Sequence, residues 1–259
     1  MRRGELPAAY RIDLQTERSI REIVAAMLVL YRRFPLLFTI LALAAVAPYD
    51  LAFLGATGFG PLARLTHHEA LWWLNNFLRD FLVTALISAL HVHAIAAIGD
   101  GRRPQLKAVA PRAIRVLPVV GATAVITDVG IFLGFVLLIV PGIVLGLRWA
   151  VSAQAAALER QGPIAAIHSS RQLTAGHYLH ILGLQLLFAV LAFGVDLGAR
   201  AIPIGGGSDI GSVCVGIAVQ TIVASISALS LALLYFDLQA RARSTERQRR
   251  EYQPADAAA

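Results

Sequence analysis

The chain is short of charge, nearly empty of lysine and carries a single cysteine, and each shortage removes a class of protein. Cys214 on its own admits no disulfide within one chain and no cysteine-based metal site; its apolar setting makes it a small packing residue. Charged residues amount to 15% against 57% apolar, and the mean hydropathy is +0.66. That leaves too little polar surface for a water-soluble domain of 259 residues. The net charge of +7 comes from arginines beside apolar runs, with Lys107 the one lysine. No interleaved aromatics and no soluble domain surround them, so nucleic-acid binding is not expected. Gly-x-Ser-x-Gly, His-Glu-x-x-His and paired-carboxylate patterns are missing too, so no catalytic residue, cofactor or metal site is assigned and no enzyme is expected. The run GGGSD follows no strand and reads as a loop, not a phosphate cradle.

What the chain does hold is a series of stretches of about 20 residues with almost no charge, each long enough for a hydrocarbon core of roughly 30 Å. The fold class expected is therefore an all-α, polytopic bundle of six transmembrane helices. Residues 1–33 form a cytoplasmic N-terminal segment, 34–238 the transmembrane domain and 239–259 a charged, disordered tail. Within the first segment Ile20, Ile23, Val24, Met27, Leu28 and Tyr31 recur at three and four, which predicts an amphipathic helix along the membrane surface. Span one covers 34–53, and span two 78–98 with Trp72 and Trp73 at its outer interface. RRFPLLFTILALAAVA also reads as a secretion signal cleaved at Ala45-x-Ala47, the weaker reading because the polar motif of twin-arginine signals is missing. A basic amphipathic piece follows span two, in which Pro104 and Pro111 prevent one straight helix. Span five covers 178–199 and span six 210–236.

Residues 116–158 need separate argument. As one helix these 43 residues would extend roughly 65 Å, about twice the hydrocarbon thickness. Pro141 lacks an amide proton and Gly142 tolerates unusual dihedrals, so the pair is the expected hairpin corner between spans at 116–139 and 142–158. A kinked helix, or a pair that dips in and returns, is the competing reading. Charge favours two crossings. With both termini inside, the inner segments hold blocks of seven, five, three and five Lys or Arg, and only Arg64, Arg79 and Arg200 fall outside.

Ionisable groups at membrane depth each cost several kcal/mol unless paired or hydrated. Asp128 in span three and Arg148 in span four lie on the two arms of the hairpin, at depths differing by roughly 9 Å. With Gln154 they form a candidate polar centre, read either as a transport site or as one structural ion pair. Asp50 and Asp196 fall near outer ends of spans. The histidines, among them His91, His93, His177 and His180, lack nearby carboxylate or cysteine partners in sequence and read as interfacial polar residues. Gly130-x₃-Gly134, Gly142-x₃-Gly146 and Gly194-x₃-Gly198 mark close helix approach. Ser212, Gly216, Gln220, Ala224 and Ser227 form a stripe that should face the bundle.

From Pro141-Gly142-Ile143 through Arg148-Trp149, Glu159, Gly162-Pro163, Ala166, Ser170, Leu173-Thr174 and Gly176, the sequence resembles the membrane domain that precedes the catalytic barrel in some bacterial glycerophosphodiester phosphodiesterases. That domain also occurs alone in uncharacterised membrane proteins. Ser169 stands where the family usually has a basic residue and Arg171 where it has an aromatic one, so no head-group contact is carried over from that helix. About 20 residues follow span six, whereas a (β/α)₈ barrel needs about 250. The resemblance thus implies a fold and a location, the bacterial inner membrane, without phosphodiesterase activity. The expected partners are the bilayer and its anionic head groups. The function expected is a non-catalytic membrane module that scaffolds or regulates partner proteins or lipids; a small-solute or lipid transporter using Asp128 and Arg148 is the alternative.

Overall fold

A computed structural model describes residues 13–58, 69–159, 162–201 and 210–252. These residues are helical almost throughout, and six helical stretches are long and apolar enough to cross a membrane. Helix α1 (Ile20–Arg33) starts where Ser19 and Glu22 cap each other: Glu22 N donates to Ser19 Oγ at 3.4 Å, and Ser19 N donates to Glu22 Oε2 at 2.7 Å. Of its expected apolar stripe Ile23 and Met27 are buried against protein, joined by Leu30, whereas Leu28 is exposed. A methyl group added to Gly183 would stand 2.9 Å from Ile20 Cδ1. Helix α2 (Pro35–Thr57) begins on a proline, whose missing amide costs nothing at a first helical position, and ends at Gly58 with φ 74°.

Span two is one continuous rod made of α3 (Glu69–Leu78), a π-helical turn at Arg79–Thr84 and α4 (Ala85–Gly99). Trp73 is exposed and meets Phe132 edge to face, whereas the side chain of Trp72 lies outside the described residues. Helix α5 (Leu106–Leu137) then runs unbroken through Pro111 and Pro118, contrary to the expectation for Pro111. A proline so near a helix start removes one amide bond, which the remaining turns absorb.

The corner of the hairpin is Leu138, at φ −165° and ψ 150°, and not Pro141-Gly142. Helix α6 (Ile139–Arg148) starts directly after it, so Pro141 is its third residue. There an amide would have no partner within the helix, and proline is tolerated. Gly142 serves packing: a Cβ there would lie 2.5 Å from Phe135 Cγ, and one on Gly134 would lie 2.9 Å from Gly142 Cα. Gly130 receives the Trp149 ring in the same way. Span four is also divided, with α6 followed by a turn at 149–151 and α7 (Ser152–Glu159).

Helices α8 (Pro163–Thr174), α9 (Tyr178–Ala201) and α10 (Ile210–Tyr252) complete the chain. The segment expected to be a disordered tail is helical as far as Tyr252. Helix nucleation is already complete in span six, and residues rich in Ala, Arg, Gln and Glu extend it readily. In α10 Ser212 and Gly216 face the bundle as expected, while Cys214 is exposed and is not a packing residue. Residues 202–209, with the GGGSD run expected to be a loop, lie outside the described residues, as do His67, His68 and the side chain of Asp196.

Candidate functional site

Among the described residues, polar side chains buried between the helices gather in several groups, three of which join elements far apart in sequence. At one end of α2, Asp50 is 4% exposed and its Oδ1 lies 3.3 Å from Arg79 Nη1. Tyr49 Oη beside it lies 2.8 Å from Asn75 Oδ1 and 2.9 Å from the Asn75 carbonyl. An aspartate and an arginine at the adjoining ends of consecutive spans were both visible in sequence; pairing them required knowing that α2 meets the π-helical turn there.

In the middle of the bundle His91 is fully buried and stacks on the Phe38 ring at 5.5 Å. Its Nδ1 faces the Ile87 carbonyl at 2.9 Å, which can only accept, so Nδ1 carries the proton and Nε2 accepts from Ser225 Oγ at 3.0 Å. A serine on a histidine is also the arrangement of an activated nucleophile. Here both residues are 0% exposed and the serine hydroxyl also lies 3.3 Å from the Phe38 carbonyl, so the group works as a cross-link of α2, α4 and α10.

The richest group lies at the other end of α10. Asp237 is 0% exposed. Its Oδ1 accepts from the Arg18 amide at 2.5 Å, and its Oδ2 lies 2.9 Å from Arg241 Nε and 3.3 Å from His180 Nε2. Arg241 continues the group by donating to the Arg18 carbonyl at 2.7 Å, and Ser244 Oγ donates to Glu17 Oε1 at 2.5 Å. Two residues apart on a helix means about 200° around it, so Tyr235 and Gln239 look the opposite way from Asp237 and Arg241. On that side Glu159 Oε1 accepts from Tyr235 Oη and from Ser169 Oγ, each at 2.9 Å, and Gln239 Nε2 donates to Tyr235 Oη at 2.6 Å. Two carboxylates on opposite faces of α10 therefore hold the 13–19 segment and α9 on one side, α7 and α8 on the other. Removing one partner of such a buried pair costs about 3–5 kcal/mol, because a charge is left behind without compensation.

Distance supports placing the first and third groups at opposite membrane faces. Ser225 touches the Phe38 carbonyl. From there, twelve residues along α2 lead to Asp50 and twelve along α10 lead to Asp237, about 18 Å each way. The sum is close to the roughly 30 Å of a hydrocarbon core plus its interfaces.

The polar centre expected from sequence is not assembled. Arg148 ends α6, where its carbonyl accepts from Ser170 Oγ at 3.0 Å and Thr174 Oγ1 at 3.1 Å, and its Nε donates to Tyr178 Oη at 3.4 Å. Asp128 lies on an exposed face of α5. Gln154 is 1% exposed within α7, and its Oε1 has no hydrogen-bond partner among the described residues. Asp237 escaped notice because it stands one residue past the last apolar position of span six, where a carboxylate reads as part of the tail. The usable signal was an aspartate four residues before Arg241 at the seam between span and arginine-rich segment.

No protein-family model matches the chain, and neither a curated protein nor a solved structure matches it significantly.

Proposed function

We propose that the chain is a non-catalytic membrane module that scaffolds or regulates partner proteins or lipids from a bacterial inner membrane, with both termini cytoplasmic. The observation that supports it most is the double tie on α10. Asp237 and Glu159 lock five segments together, which suits a fixed platform better than a moving transport path. Arginines support the orientation: Arg102, Arg103, Arg112, Arg115 and Arg171 are all exposed on the segments read as inner. The likeness to a membrane domain that accompanies a separate catalytic domain points the same way. A transporter built on Asp128 and Arg148 would need those side chains to converge, and Arg148 is turned to Tyr178.

The test is affinity purification of the full chain in a mild detergent, with identification of the proteins and lipids retained. A specific protein or lipid, enriched over an unrelated six-span control and reduced in Asp237→Ala, is the expected result. Nothing enriched over the control would overturn the proposal.

A further inference from the structure

Helices α9 and α10 are clamped where His180 meets Asp237. Immediately beyond the clamp they part, leaving a cleft of about 210 Å³ lined by Leu184, Gln185, Phe188, Ala192, Ser227 and Leu231. A second space of about 90 Å³ shares Phe188, Ala192 and Ser227 and continues to Val195 and Ile222. The walls are nearly all apolar, and the gap exists because Ala189, Ala192 and Ser227 are small. From Leu184 to Val195 is about 16 Å of helix, close to half the roughly 30 Å hydrocarbon thickness and thus to the depth of one leaflet.

Chemistry at the clamped end points to an anion. Seven residues bring a helix back to the same face, so Tyr178, Gln185 and Ala192 lie in one line along α9. Tyr178 Oη is where the Arg148 guanidinium rests, and Arg148 is only partly exposed and has no carboxylate partner among the described residues. A cation in that position is stabilised by a negative group arriving from outside the protein.

The geometry points to a binding site for one anionic phospholipid, with an acyl chain between α9 and α10 and the phosphate on Arg148 and Tyr178. The inference deepens the lipid side of the proposed function and rests on that reading; Arg148→Gln and Ala192→Phe test the cleft, whereas Asp237→Ala tests the platform. The full-length protein, purified in mild detergent, is incubated with vesicles holding phosphatidylglycerol and phosphatidylcholine of identical chains in equal amounts, and retained lipid is counted by native mass spectrometry. Wild type should keep one phosphatidylglycerol in preference to phosphatidylcholine. Arg148→Gln should abolish the preference without emptying the cleft. Ala192→Phe should lower retention of both lipids about tenfold, the loss expected when roughly two methylenes are expelled. Leu187→Phe, on the exposed side of the same helix, should change neither. Should Ala192→Phe fail to fold, Ser227→Leu fills the cleft from the other wall. Unchanged retention in the filled variant, an unchanged preference in Arg148→Gln, or a wild type that is lipid-free and dimeric until the cleft is filled would each overturn the inference. In the last case the occupant is a second copy of the chain.

Discussion

Two spans of equal greasiness sit in opposite surroundings. Phe81–Gly99 and Tyr178–Val195 have mean hydropathies of 2.1 and 2.0, yet 67% of the first and 17% of the second is buried inside the protein. Hydropathy decides that a helix enters the bilayer; it does not decide whether neighbours are protein or lipid. Lipid tails are as apolar as leucine, so burial inside a membrane bundle goes to helices with small residues and polar side chains to satisfy. The α4 helix supplies both, with Ala85, Ala89, Ala94 and Ala97 admitting close neighbours and Ser88 and His91 buried among them. The α9 helix offers Leu186, Val190 and Phe193 to its surroundings, each at least 60% exposed, and its ties through Tyr178 and His180 lie together at one end.

The largest expected effect tests the end where α9 is held. Asp237→Ala leaves the Arg18 amide, His180 Nε2 and Arg241 Nε without their carboxylate and should destabilise the protein by about 3–5 kcal/mol in reversible unfolding from mixed micelles. Leu186→Ala, which touches little protein, should stay within about 0.5 kcal/mol of wild type. A loss under about 1 kcal/mol for Asp237→Ala would mean that the carboxylate is solvated and the tie weak.

A matched pair of alanines comes next. Ala89→Leu forces four-carbon bulk into a site that is 0% exposed and should cost about 1–3 kcal/mol, whereas Ala189→Leu, beside the α9 cleft, should be nearly neutral. Equal costs would erase the difference between the two helices. Glycines give the same contrast on a finer scale. Gly142→Ala should cost about 1–3 kcal/mol because its methyl group meets the Phe135 ring, while Gly194→Ala, with nothing within 4 Å, should fall within about 0.5 kcal/mol of neutral.

Those glycines also show what was legible in sequence and what was not. All three Gly-x₃-Gly pairs looked alike as patterns, but only Gly130, Gly134 and Gly142 are pressed against a neighbour, and Gly146, Gly194 and Gly198 face open space. Six apolar helices could be read from hydropathy because the bilayer sets their length; their partners could not, because apolar residues meet lipid and protein on equal terms. The corner was misplaced by three residues for a related reason. Proline is a poor helix interior but a tolerated third residue, so Pro141 marks a helix start and the bend falls on Leu138, whose sequence carries no signal. The candidate polar centre failed because depth along the hairpin brought Asp128 and Arg148 near one another on paper, while the break at 149–151 turned Arg148 toward α8 and α9.

The smallest effect is confined to the surface. The Ser19 amide and hydroxyl hold the Glu22 carboxyl below its ordinary value near 4.5, so the folded state favours the ionised form. That stabilisation is complete above the unfolded value and fades as pH falls through the lower folded one. Thermal unfolding of Glu22→Gln should therefore match wild type at neutral pH up to a constant offset and decline slightly less than wild type below about 4.5. An identical acid decline would remove the cap from the account.

Accessibility of the two spans to lipid tests the central contrast directly. In a Cys214→Ser background, spin labels placed singly at Ala89 and Val92 in α4, and at Val190 and Phe193 in α9, are exposed to oxygen dissolved in the hydrocarbon of vesicles. Strong relaxation at the α9 sites and weak relaxation at the α4 sites is the predicted result. Equal relaxation on both helices, or the reverse order, would contradict the claim that small and polar side chains, and not hydropathy, choose the core of this bundle.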